Sequence, residues 1–221
     1  MNTNTIPLAV INPDADPRSL EAKQPHIDNG SECYSKEGYF SRDYMAREWE
    51  KLWTRTWLIA GVTADLTEVG DFFVFDIRDE SIIVTRTEDG IKAFYNVCSH
   101  RGSRLVWEQR GRKKVFVCPF HSWSFHHTGE LRRITDEETF QPEVVAHRPG
   151  LVPLACDTLA GIVFISMAEK PPPLRESLGL PEGYLEAYQV EHMRVVRHVR
   201  SEWAANWKVG VEAFYESYHL H

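Results

Sequence analysis

Residues 98–102 read "CSHRG" and residues 118–123 read "CPFHSW". Each stretch carries one cysteine and one histidine: Cys98 and His100 two positions apart, Cys118 and His121 three apart, with 17 residues between the pairs. Four such side chains in two tight pairs can converge on one metal centre if the two loops are neighbours. Two cysteines and two histidines make a tetrahedral zinc set, although a zinc finger runs Cys, Cys, His, His, whereas here each loop supplies one of each. That interleaving also suits a binuclear iron–sulfur cluster, in which one iron takes both thiolates and the other both imidazoles.

The rest of the chain allows either reading. Its 221 residues make one large domain or two smaller ones, and 43% hydrophobic content with seven tryptophans is a globular composition. The net charge is −7, and "RGRKK" at 110–114 is a single short basic run, which argues against nucleic-acid binding. The first twenty residues lack a charged start followed by an apolar stretch. The longest apolar runs, such as "GIVFIS" at 161–166, are far too short to span a bilayer. A soluble, cytoplasmic protein with no membrane contact is therefore expected. With no secretory signal, the four cysteines point to metal or redox chemistry before disulfides.

Along the chain, the first ~40 residues are rich in Pro, Asn, Asp and Gly and predict an irregular arm. From Ser41, a plausible N-cap with Asp43 behind it, Met45, Trp49, Leu52 and Trp53 recur at helical spacing. The period then drops to two. "DFFVFDI", "SIIVTRT" and "IKAFYNV" predict strands, with "EDG" at 88–90 as a hairpin turn. "SRLVWEQ" and "KKVFVC" predict two more strands joined across "RGR", a hairpin that would return the chain and set the two Cys/His loops side by side. Beyond "GIVFIS", three consecutive prolines enforce an extended connection. "MRVVRHVRSEWAA" predicts a strand and "NWKVGVEAFYESYHLH" a helix. On that helix Glu212, Glu216 and His219 share one face. A carboxylate beside an imidazole can orient a metal ligand. By itself the pattern equally fits a solvated face.

Taken together, "CSHRG" and "CPFHSW" resemble the Rieske [2Fe-2S] motif. The family's second loop often has Tyr and Gly where this chain has Phe120 and Ser122, neither of them a ligand. With "NWK" and the Glu216/His219 spacing downstream, the chain from about residue 40 onward resembles the α subunit of Rieske non-haem iron ring-hydroxylating oxygenases. The resemblance implies an α+β fold: an all-β Rieske domain at 58–157 inserted in the start of an α/β helix-grip-like catalytic domain. Residues 1–57 would be an arm and helix packing on that domain, and 158–221 its beginning. It implies a [2Fe-2S] cluster on Cys98, His100, Cys118 and His121, and a mononuclear non-haem Fe(II) with His219 as its first histidine. Glu216 would link iron-ligand and cluster-ligand histidines across a subunit boundary, where the family more often has Asp.

The second iron histidine and the carboxylate ligand would fall beyond residue 221, so a longer polypeptide is expected, with His221 a pocket residue. The implied reaction is NAD(P)H-driven insertion of oxygen from O2 into an organic substrate, which the resemblance favours as aromatic, with a ferredoxin or flavin reductase as electron donor and a homotrimer or α3β3 assembly. Oxidative demethylases and quaternary-amine monooxygenases share these motifs, and a stand-alone Rieske electron carrier is the alternative of another class. His26, His126, His127, His147, His192 and His198, like Cys33 and Cys156, have no paired spacing and are read as structural.

Overall fold

The computed structural model describes residues 32, 33, 35–197 and 199–215. The chain forms two compact units: one takes the described residues up to Tyr44 together with those from Ala204, the other spans Met45–Trp203. In the first, α1 (Glu37–Phe40) leads into the opening residues of α2 (Arg42–Glu48), which runs on past Tyr44 into the second, and α5 (Trp207–Tyr215) carries the expected C-terminal helix. Ser41 acts as the N-cap, its Oγ accepting the Tyr44 amide at 3.2 Å. The helical spacing past α2 continues as a π-turn at Trp49–Trp53 rather than an α-helix.

The second unit is built on antiparallel pairing. A seven-stranded sheet has the order β1 (Leu58–Val62), β10 (Ile162–Ser166), β9 (Pro153–Leu159), β4 (Gly90–Tyr95), β3 (Glu80–Thr87), β2 (Asp71–Ile77), β5 (Arg110–Arg112). A three-stranded sheet holds β6 (Val115–Val117), β7 (Ser124–His126) and β8 (Leu131–Arg133) in that order. The central strands bury both faces, so their apolar residues run consecutively. Phe72, Val74, Ile83 and Phe94 enter one core, while Phe73, Ile82, Val84 and Ala93 enter the other. Cys98, Cys118 and Trp123 belong to the first core, so that face of the large sheet and the small sheet enclose the metal loops. The β3–β4 hairpin turns at Glu88–Asp89 between the paired Thr87 and Gly90, as "EDG" predicts. Gly129 marks the closest approach within this core. A Cβ there would lie 2.2 Å from the Phe94 ring, and its φ of +90° already disfavours a side chain.

Two predicted strands are corrected. Residues 103–109 form only an isolated bridge, Val97 to Arg104, and "RGR" is not the turn but β5 itself, the edge strand paired with β2. The reason is a side chain. Asn96, 3% exposed, accepts the amides of Leu105 and Val106 through Oδ1 at 3.1 and 2.9 Å and donates to the Val106 carbonyl at 2.7 Å, serving the backbone groups a ladder would otherwise serve. Among the described residues of 193–205 none is in a strand: after a 3-10 turn at Val190–His192, Met193, Val195, Val196, Val199 and Trp203 are exposed, and no described strand pairs with them.

Candidate metal centre

The two Cys/His loops follow one backbone plan. In the first, the Cys98 amide donates to the Ser103 carbonyl at 2.8 Å and the Gly102 amide to the Cys98 carbonyl at 3.0 Å. In the second, the Cys118 amide donates to the Trp123 carbonyl at 2.7 Å and the Ser122 amide to the Cys118 carbonyl at 2.9 Å. The i+4 residue has positive φ in both, 71° at Gly102 and 57° at Ser122. Glycine takes this conformation freely; a serine there is strained and needs the surrounding bonds to hold it. The turn aims two amides at each sulfur: those of His100 and Arg101 at Cys98, those of His121 and Phe120 at Cys118. Such donors favour thiolate and supply hydrogen bonds to a metal-bound sulfur.

Like side chains are thereby brought together. Cys98 and Cys118, both 2% exposed, hydrogen-bond to each other, and the His100 and His121 rings meet edge to face with centroids 4.8 Å apart. Burial pushes the Cys98 thiol up, against its two amide donors. At Cys118 burial also opposes ionisation, but the His121 and Phe120 amides and the hydrogen bonds from Cys98 and Ser103 outweigh it and hold this thiol low. Burial, then the neighbouring His121, Arg101 and Arg148, keeps the His100 imidazole below its usual value and so neutral, as a ligand must be.

The donor set suits a binuclear group. Nδ1 of His121 is buried without a hydrogen-bond partner, an acceptor that a metal ion would satisfy. Among the described residues no three His, Cys, Asp or Glu side chains close around one point as the ligands of a single ion would. The pairing of thiol with thiol and imidazole with imidazole matches a binuclear cluster, which takes its ligands two and two.

Supporting residues enclose the pairs. Trp123, 2% exposed, stacks on His100 at 4.5 Å and 9°, and the Arg148 guanidinium lies 5.5 Å from the indole centroid. The Ser99 hydroxyl donates to the Pro149 carbonyl at 2.9 Å, and Thr135 donates to the His121 carbonyl at 2.8 Å. Sequence reasoning found Trp123, but not Asn96, Ser103, Thr135 or Arg148, which lack motif spacing and reach the loops only through tertiary contacts. Of the other histidines, His127 pairs with Glu88 at 2.8 Å and His147 meets the Glu143 carbonyl at 2.6 Å. Cys156 is inert, its thiol pushed up to about 12 by burial and the nearby Asp157. Glu216, His219 and His221 lie outside the described residues, the last of which in α5 is Tyr215.

Known proteins agree with this geometry. The family model for the Rieske [2Fe-2S] domain matches residues 56–148. The glycine betaine monooxygenase oxygenase subunit of Pseudomonas aeruginosa is 35% identical over 171 residues, covering 77% of this chain and 39% of that one. A crystal structure of a quaternary ammonium Rieske monooxygenase with L-carnitine superposes with a TM-score of 0.75 at 29% identity, covering 84% of this chain and 53% of that one. The chain belongs to the Rieske oxygenase family. A second branch of this family, the large oxygenase component of a naphthalene 1,2-dioxygenase system from Pseudomonas aeruginosa, is 30% identical over 205 residues, 89% of this chain and 43% of that one. This Rieske oxygenase chain thus spans about two fifths to half the length of these relatives. The family's cofactors are a [2Fe-2S] cluster and a non-haem iron supplied with electrons through a reductase. Among the described residues no helix is long and apolar enough to cross a membrane.

Proposed function

We propose that the chain is the cluster-bearing N-terminal portion of an oxygenase α subunit, with Cys98, His100, Cys118 and His121 as the cluster ligands. The observation that carries this is the pair of buried loops of one backbone plan, which set thiol beside thiol and imidazole beside imidazole. When bound, the cluster would supply one-electron transfer and the mononuclear iron oxygen activation. The protein's own part is to exclude water with Trp123, to direct amide donors at both sulfurs and to keep the His100 imidazole neutral. Residues 58–157 act as the Rieske domain, 1–57 as an arm and helix, and 158–221 as the start of the catalytic domain, in which His219 is an iron ligand and Glu216 joins the two sites across a subunit boundary. That bridge requires an oligomer, a homotrimer or α3β3 assembly, in the cytoplasm, served by a ferredoxin or flavin reductase that draws on NAD(P)H.

For the substrate we favour a quaternary ammonium compound of the betaine or carnitine kind over an aromatic ring. Identity is higher to the glycine betaine relative, at 35%, than to the naphthalene dioxygenase relative, at 30%. Glutamate rather than aspartate at position 216 also fits the amine-oxidising branch.

The test is reductase-coupled oxygen uptake by the full-length protein with glycine betaine, L-carnitine and naphthalene in turn, after iron and acid-labile sulfide have been counted. Three irons and two sulfides per chain with amine-dependent uptake are expected. Two irons and no uptake with any substrate would instead mean a stand-alone electron carrier, and zinc without sulfide would reject the centre altogether.

A further inference from the structure

Lys208, in the "NWK" that opens α5, has its ammonium near three aromatic rings at once: 5.1 Å from the Trp207 centroid, 5.3 Å from Tyr44 and 5.7 Å from Tyr39. All three lie within the ~6 Å over which a ring quadrupole attracts a cation. Two of the rings come from α1 and α2, far upstream in sequence. A second tie joins the same elements, since the Tyr39 phenol donates to the Glu212 carboxylate at 2.6 Å, one turn beyond Lys208 on α5. Gly38 lies beside the arrangement: a Cβ there would make ordinary contact with the Tyr44 ring at 3.5 Å and with Lys208 Cε at 3.8 Å.

The helix needs such ties. Its described residues include Gly210 and the β-branched Val209 and Val211, and none of their side chains is buried. A helix that starts with such weak helix formers and buries no side chain there depends on the tertiary contacts it makes. We propose that Lys208 is a positioning residue. Its ammonium, boxed by Trp207, Tyr44 and Tyr39, clamps the N-terminal arm onto α5 and so sets the start of the segment that continues into Glu216 and His219. The arm is then a working part of the iron site and not a dispensable leader. The iron part of this inference rests on the function proposed above; the clamp does not.

The experiment compares Lys208→Met, Lys208→Arg and Tyr39→Phe in the full-length protein by hydrogen exchange of the α5 amides and by the EPR signal of the ferrous site after addition of nitric oxide. Cluster absorbance serves as the internal control. Met keeps length but loses charge, whereas Arg keeps the cation and stacks on aromatic faces. In the Met variant, α5 exchange should rise roughly tenfold or more as local opening becomes easier, and the nitrosyl signal should broaden or shrink while cluster absorbance holds. Arg should restore both. Tyr39→Phe, which keeps the ring beside Lys208 and removes the hydroxyl's tie to Glu212, should raise exchange less and guards against failure of the Met variant to fold. Wild-type exchange in both Met and Phe variants, or an Arg variant as impaired as Met, would overturn the clamp. If Met loosens α5 and Arg rescues it while the wild-type protein gives no nitrosyl signal, the clamp stands and the iron-site reading fails. A nitrosyl signal unchanged in a Met variant with loosened α5 would overturn the positioning role.

Discussion

Replacing Asn96 by alanine tests whether one buried amide holds the first metal loop in place of a β-ladder. The side chain makes four hydrogen bonds: to the Leu105 and Val106 amides, to the Val106 carbonyl, and to the Ser81 hydroxyl at 3.1 Å. Leu105 and Val106 are 5% and 1% exposed, so water cannot readily replace the lost partner. Each orphaned buried backbone group costs about 1–3 kcal/mol. Three of them, at the low end because the loop relaxes, together with the small cavity, come to about 4 kcal/mol. For a unit of this size that lowers Tm by roughly 10 °C. The assay is urea denaturation followed by tryptophan fluorescence, with loss of the visible bands recorded in parallel; the midpoint should fall at unchanged slope. Asn96→Asp supplies an internal check. Its carboxylate still accepts the two amides but faces the Val106 carbonyl with lone pairs, and burial raises its folded pKa. The Asp variant should therefore be most stable at low pH, where the protonated group can donate, and lose that stability as pH rises through the raised folded value. A destabilisation below about 1 kcal/mol in Asn96→Ala would refute the reasoning.

Three further outcomes follow from the same structure. Cys118→Ser should abolish the visible absorption and the acid-labile sulfide, because a hydroxyl does not replace a thiolate on iron; retained colour with full metal content would exclude Cys118 as a ligand. The carboxyl of Asp71 is held below its usual value, chiefly by the Arg112 guanidinium at 2.6 Å, with burial opposing and the Glu68 amide and Thr67 hydroxyl assisting. Its contribution is thus fully present above about pH 4 and is lost as pH falls through the depressed folded value. Asp71→Asn should destabilise the protein at neutral pH and narrow the gap to wild type on acid titration, whereas a gap independent of pH would mean that the ion pair across β2 and β5 contributes nothing. Glu216→Gln in the full-length enzyme should leave metal content and cluster reduction intact while single-turnover oxidation of the pre-reduced protein slows roughly tenfold or more; wild-type rates would make Glu216 a surface carboxylate.

The candidate ligands and most of the strands are legible in the sequence. Cys98, His100, Cys118 and His121 stand out as candidates because residue type and spacing are local, and β2, β3, β4 and β10 are legible because strand patterning and turn residues are local too. The residues 103–112 were misread for the complementary reason. Val106 and Trp107 carry strand propensity, but whether a segment pairs depends on what lies opposite it, and here Asn96 already serves the backbone while β2 takes "RGR" as its edge partner. The segment 193–203 has a strand's composition without a strand among the described residues to pair with. What the fold adds is that the two loops share one backbone plan, that Ser122 holds a left-handed conformation like Gly102, and that Ser103 and Arg148 join Trp123 around them. The cation box at Lys208 belongs to the same class, since its rings come from residues 39, 44 and 207. Ligand identity is written residue by residue, but the environment that orients a ligand is assembled from whatever the fold brings within a few ångströms, and no local pattern in the chain records that meeting.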